Sequence, residues 1–185
     1  MKIPNRFNRT ILYEDNARTM RETVQNAVAE GVDLRCADLS YADLRNVNFS
    51  GVNLSYVDFS SAYLSYANLS YVNLTRADFT SADLRGVRFI GATLTDAIYD
   101  TNVPMSYPPV AVTGLRWNVM ILDQHMEIGC ELHSHDGWAE FTDSKILTMA
   151  GRKALEFWLE HRITLLALCR SHAAECEKLT QAGVK

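Results

Sequence analysis

The ligand chemistry of this chain concentrates in one short segment, where His125, His133 and His135 stand beside Glu127, Glu131 and Cys130. If the segment is a hairpin, strand alternation puts His125, Glu127, Glu131, His133 and His135 on one face and leaves Cys130 with the apolar residues. Imidazole and carboxylate donors on one face suit a divalent cation. No C-x-x-C or H-E-x-x-H spacing accompanies them, so a solvated strand face is the simpler account and no cofactor is expected. Two further sets repeat at intervals. Asp38, Asp58 and Asp78 stand twenty residues apart, a carboxylate row that can compete for a basic groove by the forces that hold phosphates. Tyr41, Tyr56, Tyr63, Tyr66 and Tyr71 offer rigid rings with polar tips, suited to packing on a protein or stacking on a nucleotide base. A glycine-rich phosphate loop, a nucleophile elbow and paired carboxylates in a recognisable frame are all missing from the sequence, so no enzyme is expected.

The elements that position these residues arise from a period of five. From Val32 to Thr101 a large apolar residue recurs at Leu34, Leu39, Leu44, Phe49, Leu54, Phe59, Leu64, Leu69, Leu74, Phe79, Leu84, Phe89, Leu94 and Tyr99. Val or Ala stands two places before each centre, mostly Asp or Asn one place before, and mostly Ser, Thr or Arg one place after. Five matches neither the helix period of 3.6 nor the strand period of 2, and instead fits a chain that turns a corner at each repeat. A short period held this long signals a solenoid.

The runs A-D-L-S-Y at Ala37–Tyr41, A-N-L-S-Y at Ala67–Tyr71 and A-D-F-T-S at Ala77–Ser81 resemble the pentapeptide-repeat family. That resemblance implies a right-handed quadrilateral β-helix with four repeats per coil, so residues twenty apart stack at the strand spacing of roughly 4.8 Å. Some members of the family are DNA mimics that occupy the DNA-binding saddle of gyrase, which gives the Asp38, Asp58 and Asp78 row one functional reading. The structural alternative is that Asp or Asn before each centre bonds the corner backbone. The whole-chain layout is similar to pentapeptide-repeat proteins of phages and prophages. The resemblance implies a non-enzymatic accessory or anti-defence protein that blocks a nucleic-acid-associated host factor, without itself binding nucleic acid. Two other readings stand beside this: a nucleotide-ligand sponge on the tyrosines, and a metal-dependent activity at the hairpin.

The flanks define a mainly β solenoid with a helical cap and an α+β appendage. Residues 1–31 hold a short strand at Phe7–Tyr13 and a capping helix opened by the box Thr19–Glu22. Residues 32–101 are the column, 102–115 a proline-marked linker, and 116–185 a hairpin followed by helices. A helix from about Arg152 to Lys178 spreads its apolar residues over more than one stripe. One stripe is expected to close the last coil around Tyr99. The other, assigned to Leu155, Trp158, Leu159, Ile163 and Leu166, is expected to pair with a second copy of the chain as a homodimer. The formal net charge of −4 has its excess in the repeats. Met1–Arg6 lacks the apolar run of a signal peptide, no run is long enough to span a membrane, and four cysteines show no paired spacing. A cytoplasmic protein with a protein partner in a host cytoplasm is the resulting expectation.

Overall fold

Five residues make one side of a coil and twenty close it. In the computed structural model, which describes residues 1–100, 103–105, 107–112 and 114–181, parallel bridges join residues twenty apart along four walls. The first wall stacks Asp38, Asp58, Asp78 and Ile98; the second Asp43, Tyr63 and Asp83; the third Asn48, Asn68 and Arg88; the fourth Asn53, Asn73 and Thr93. Successive coils exchange backbone bonds such as Leu39 N–H to Asp58 C=O at 2.9 Å and Asp58 N–H to Ala37 C=O at 2.9 Å. The large centres and their small predecessors fill the interior, and Leu34, Leu54, Leu74, Phe49, Phe59 and Phe79 are fully buried. Phe59 stacks on Phe79 with ring centroids 5.5 Å apart and meets the edge of Phe49 at 5.9 Å. At ~2 kcal/mol for each large side chain, this interior is the main stabilising term of the column.

The corners carry a feature the period alone does not reveal. At most of them the carbonyl of the centre accepts the N–H three residues on, as in Ala37 N–H to Leu34 C=O at 3.1 Å. The residue between, second after the centre, has positive φ: Cys36, Tyr41, Asn46, Tyr56, Ser61, Tyr66, Tyr71, Arg76, Ser81 and Asp96 lie between 56° and 61°. A positive φ at the third turn position marks a type II turn, where glycine is the unstrained choice. Gly51, Gly86 and Gly91 occupy three of these corners.

Two compact units divide the chain, Met1–Pro108 and a second that starts at Pro109. In the first, β1 (Lys2–Pro4) pairs antiparallel with β2 (Ile11–Glu14). The single strand expected at Phe7–Tyr13 is therefore a two-stranded hairpin, with exposed Phe7 in its connection. Residues after β1 run antiparallel to the first coil, with Asp38 N–H donating to Pro4 C=O and Arg6 N–H to Cys36 C=O, both at 2.8 Å. This pairs part of an otherwise open edge. Helix α1 (Met20–Ala29) starts at Thr19, whose side chain accepts the Glu22 N–H at 3.2 Å, while the Glu22 carboxylate accepts the Arg18 N–H. It buries Thr23, Val24 and Ala27. Asp15 joins the hairpin to α1. Desolvation alone would raise its pKa, but bonds from Asn26, Thr23, the Ala17 amide and the chain's amino terminus pull it down to about 2.

At the far end, β3 (Ile98–Asp100) pairs antiparallel with β4 (Val103–Pro104), and Met105 N–H donates to Ala97 C=O at 2.9 Å. Thr101, the last column residue expected, lies outside the described residues.

The second unit is α+β. A four-stranded antiparallel sheet runs in order β5 (Val110–Val112), β6 (Val119–Ile121), β7 (His125–Ile128) and β8 (Glu131–Ser134). Strand β5 falls inside the segment read as a 102–115 linker; three residues after Pro109 are too few to show an alternation. Helices α2 (His135–Ala139), α3 (Asp143–Ala150) and α4 (Arg152–Gln181) follow. Thr142 caps α3 by accepting the Lys145 N–H, and Gly151 with φ 78° breaks the chain between α3 and α4. The core joins Val119, Ile121 and Met126 to Trp138, Phe141, Ile146, Phe157, Trp158, Leu165 and Cys169. The α4 face expected to close the last coil thus has partners within its own unit. Among the described residues no helix is long and apolar enough to cross a membrane.

Candidate functional site

The acidic row on the first wall is tied down twice. Each carboxylate accepts the N–H two residues on, Ser40 to Asp38 at 3.3 Å, Ser60 to Asp58 at 2.9 Å and Thr80 to Asp78 at 3.0 Å. Asn48, Asn53, Asn68 and Asn73 do the same on the other walls, so the residue type is a corner requirement. The N-terminal segment then supplies countercharge. Arg9 pairs with Asp38, and the Arg6 guanidinium lies 3.6 Å from Asp58 and 3.5 Å from Asp78 while donating to Val57 C=O at 3.1 Å. Burial works against ionisation of Asp38, but the Ser40 hydroxyl and amide and then Arg9 outweigh it, and its pKa is lowered. With two guanidinium groups against three carboxylates, the row is a largely compensated strip rather than a free anionic surface.

On the second wall each acid carries its own arginine. Arg45 grips Asp43 through Nε at 2.9 Å and Nη2 at 2.7 Å, and Arg85 grips Asp83 through both at 2.7 Å. The Arg45 bond, with help from Arg21, holds the Asp43 carboxyl well below the usual carboxylate range against its desolvation. Between these two pairs stands Tyr63.

The tyrosines separate into two groups. Tyr56 sits at the corner shared with Arg76 and Asp96: the Arg76 guanidinium lies 5.6 Å above its ring and donates to its hydroxyl at 3.3 Å. Tyr41, Tyr63, Tyr66 and Tyr71 are 77%, 56%, 69% and 67% exposed. They lie along the second and third walls, which share the Tyr66 corner, and exposed Ile90 extends the same surface on the third wall. Tyr66 and Tyr71 are fixed from beneath, because a Cβ on Gly86 or Gly91 would meet their rings at 2.6 Å. Glycine at those corners lets each ring lie on the next coil. The product is an ordered aromatic surface rimmed by Asn48, Ser50, Arg45 and Arg85, offering stacking area and hydroxyl tips. Tyr56 belongs elsewhere, at the rim of a cleft of about 510 Å³ lined also by Ile11, Leu12, Val32, Arg35 and Cys36.

The histidine face of the hairpin does not form. The turn between β7 and β8 holds two residues, Gly129 and Cys130, so Ile128 pairs with Glu131 and Met126 with His133. Even-numbered residues of one strand therefore share a face with odd-numbered residues of the next. His133 packs on the apolar side against Trp138 and Phe141 at 5.2 and 4.8 Å, with Nε2 3.3 Å from Glu131. His125 lies on the opposite side, and His135 opens α2 with its Nε2–H donating to His125 C=O at 2.9 Å. Cys130 is exposed in the turn. The three histidines are not convergent ligands.

Of the α4 residues assigned to a dimer contact, Trp158 is corrected: it is buried in the unit's own core beside Trp138, at 5.3 Å. Leu155 and Leu166 are partly buried on that core, while Leu159 and Ile163 are 47% and 78% exposed.

Four ladders with a turn every five residues define a four-sided β-solenoid. Residues 24–51 and 58–96 match the family described as pentapeptide repeats, in 8 copies. The repeat region of this chain belongs to that family, for which the quadrilateral β-helix is right-handed. Solved structures similar to the chain are pentapeptide repeat proteins too. One, from the Arabidopsis thaliana thylakoid lumen, is 31% identical over 40% of this chain and 62% of its own, with a TM-score of 0.32. HetL of the cyanobacterium Nostoc sp. strain PCC 7120, involved in heterocyst differentiation regulation, is 32% identical over 42% and 38%, with a TM-score of 0.26. A further Nostoc PCC 7120 protein is 27% identical over 51% and 93%, with a TM-score of 0.21. The chain thus spans less than two thirds of the first two. No curated protein matches the chain.

Proposed function

We propose that the chain is a non-catalytic, protein-binding inhibitor that docks a partner on the aromatic surface of its second and third walls. The observation that carries this reading is the set Tyr41, Tyr63, Tyr66 and Tyr71, exposed on two adjoining walls with Tyr66 and Tyr71 seated on glycine corners. Rigid tyrosines give large contact area at little cost in conformational entropy and recur as binding hot spots. The pairing of Asp38, Asp58 and Asp78 with Arg6 and Arg9 favours this surface over imitation of DNA by charge. In the same reading α1 closes the first coil, and exposed Leu159 and Ile163 on α4 pair with a second copy of the chain.

The test is affinity capture from the lysate of the cell that makes the chain, repeated with variants of matched melting behaviour. Tyr63→Ala, Tyr66→Ala and Tyr71→Ala together are expected to release the partner, at about 2 kcal/mol for each hot-spot ring. Asp38→Asn, Asp58→Asn and Asp78→Asn together are expected to retain it. A partner kept by the tyrosine variant, yet lost with the three asparagines and in high salt, reverses the assignment and restores charge mimicry.

A further inference from the structure

A ligand set stands in the C-terminal unit, at a place distinct from the histidine segment singled out in the sequence. Along α4 the inward stripe passes through Cys169, His172 and Cys176. The Cys169 thiol is taken up by the core, 3.6 Å from the Met126 sulfur. One turn further, His172 and Cys176 stand four residues apart on one helix face, with His172 Nε2 3.6 Å from Cys176 Sγ. Facing them is buried Asp123, in the loop between β6 and β7, whose bend is closed by the Leu122 N–H to His125 C=O bond at 2.8 Å. The ligand atoms of Asp123, His172 and Cys176 all lie within 4.8 Å of one another.

We propose that Asp123, His172 and Cys176 form a binding site for a divalent cation of the zinc class. With Zn–N near 2.0 Å and Zn–S near 2.3 Å at a tetrahedral angle, the nitrogen-to-sulfur edge of a zinc site is about 3.5 Å. The separation found here, 3.6 Å, needs almost no adjustment. Imidazole, thiolate and carboxylate in one set select a borderline-soft ion; calcium and magnesium take oxygen ligands alone. Three protein ligands leave one tetrahedral position for water or an incoming group. His135 lies close enough to His172 for their charges to interact, but its Nε2–H is committed to the His125 carbonyl. A bound ion would tie the β6–β7 loop to the last third of α4, two segments about fifty residues apart in sequence.

Cobalt(II) titrated into the purified chain, after treatment with a chelator, tests the site. The expected result is one Co²⁺ per chain, with visible bands of tetrahedral cobalt and a near-ultraviolet thiolate-to-cobalt band, both abolished by one equivalent of Zn²⁺. Cys176→Ser should remove the thiolate band. Asp123→Asn and His172→Gln should each weaken binding by at least roughly ten-fold, the least that loss of a group supporting a metal ligand costs. Cys130→Ser, at the exposed thiol, should change nothing. Absence of a stoichiometric thiolate band overturns the proposal, as does a band that survives Cys176→Ser and vanishes with Cys130→Ser. If Cys176→Ser does not fold, the unaltered chain decides: Zn²⁺ should raise its Tm above that of chelator-treated protein, and no rise overturns the site.

Discussion

Gly51 and Gly86 occupy equivalent corners with different surroundings, and substituting each by alanine isolates what the tyrosine rings contribute. Both have positive φ, 77° and 66°, so both substitutions carry the left-handed penalty of about 1–2 kcal/mol. An added Cβ on Gly51 meets nothing within 4 Å, whereas on Gly86 it lies 2.6 and 2.7 Å from ring carbons of Tyr66. Ordinary carbon contacts begin near 3.5 Å, so the ring must swing off the coil. Tyr66 is 69% exposed, which leaves about a third of its surface covered. A third of roughly 200 Å² is about 60 Å², and at ~25 cal/mol per Å² the lost contact costs ~1.5 kcal/mol. Gly86→Ala should therefore destabilise by about 3 kcal/mol and Gly51→Ala by about half that. In a Tyr66→Ala background the Gly86→Ala cost should fall to the Gly51→Ala value, a coupling of about 1.5 kcal/mol. Urea unfolding followed by circular dichroism reads this as a change in midpoint at constant slope. Equal costs for the two alanines, or an excess that persists without the Tyr66 ring, would refute a ring seated on glycine. The Tyr71–Gly91 pair offers the same cycle as an independent check.

Phe59→Ala, between Phe49 and Phe79 in a closed coil, should cost about 3–5 kcal/mol in the same assay, since stacked backbones above and below prevent collapse of the cavity. Arg6→Ala removes charge-assisted contacts to Asp58, Asp78 and a carbonyl and should cost about 2 kcal/mol, an effect reduced when Asp58→Asn and Asp78→Asn are also present. Asp15 has a folded-state pKa of about 2, below the ordinary carboxylate value, so its stabilisation is present above about pH 4 and is lost as pH falls through about 2. Thermal melting between those limits should show a shallower acid decline for Asp15→Asn than for the unaltered chain; identical declines would remove Asp15 from the acid response.

The coil is legible in the sequence because its information is local and repeated. Leu34, Leu54 and Leu74 announce one wall, and the Asp or Asn before each centre announces the corner bond. The same logic does not show that Tyr66 and Tyr71 have positive φ, because aromatic residues are poor markers of that conformation. Nor does it place Arg6, whose contacts reach residues 50 and 72 positions away. The histidine face fails for a different reason. Simple alternation does not survive Gly129 and Cys130, where a two-residue turn exchanges odd for even and moves His133 to the apolar side. Trp158 reads as outward because a helix with apolar residues all round gives no indication of which stripe its own sheet covers. Asp123 carries no signal at all; only the four-residue interval from His172 to Cys176 is readable in advance.

The four ladders impose a grammar on insertions and deletions. Adding twenty residues within the column lifts everything downstream by one rung, about 4.8 Å, and leaves each side chain on its own wall. Adding five between Tyr41 and Tyr71 keeps every interior position filled but rotates the downstream coils by a quarter turn, parting Tyr41 from the rings that now adjoin it. Such a change is silent to the core and ruinous to the surface. Drift in the length of this chain is therefore tolerated by its stability in steps of five, and by its aromatic surface only in steps of twenty.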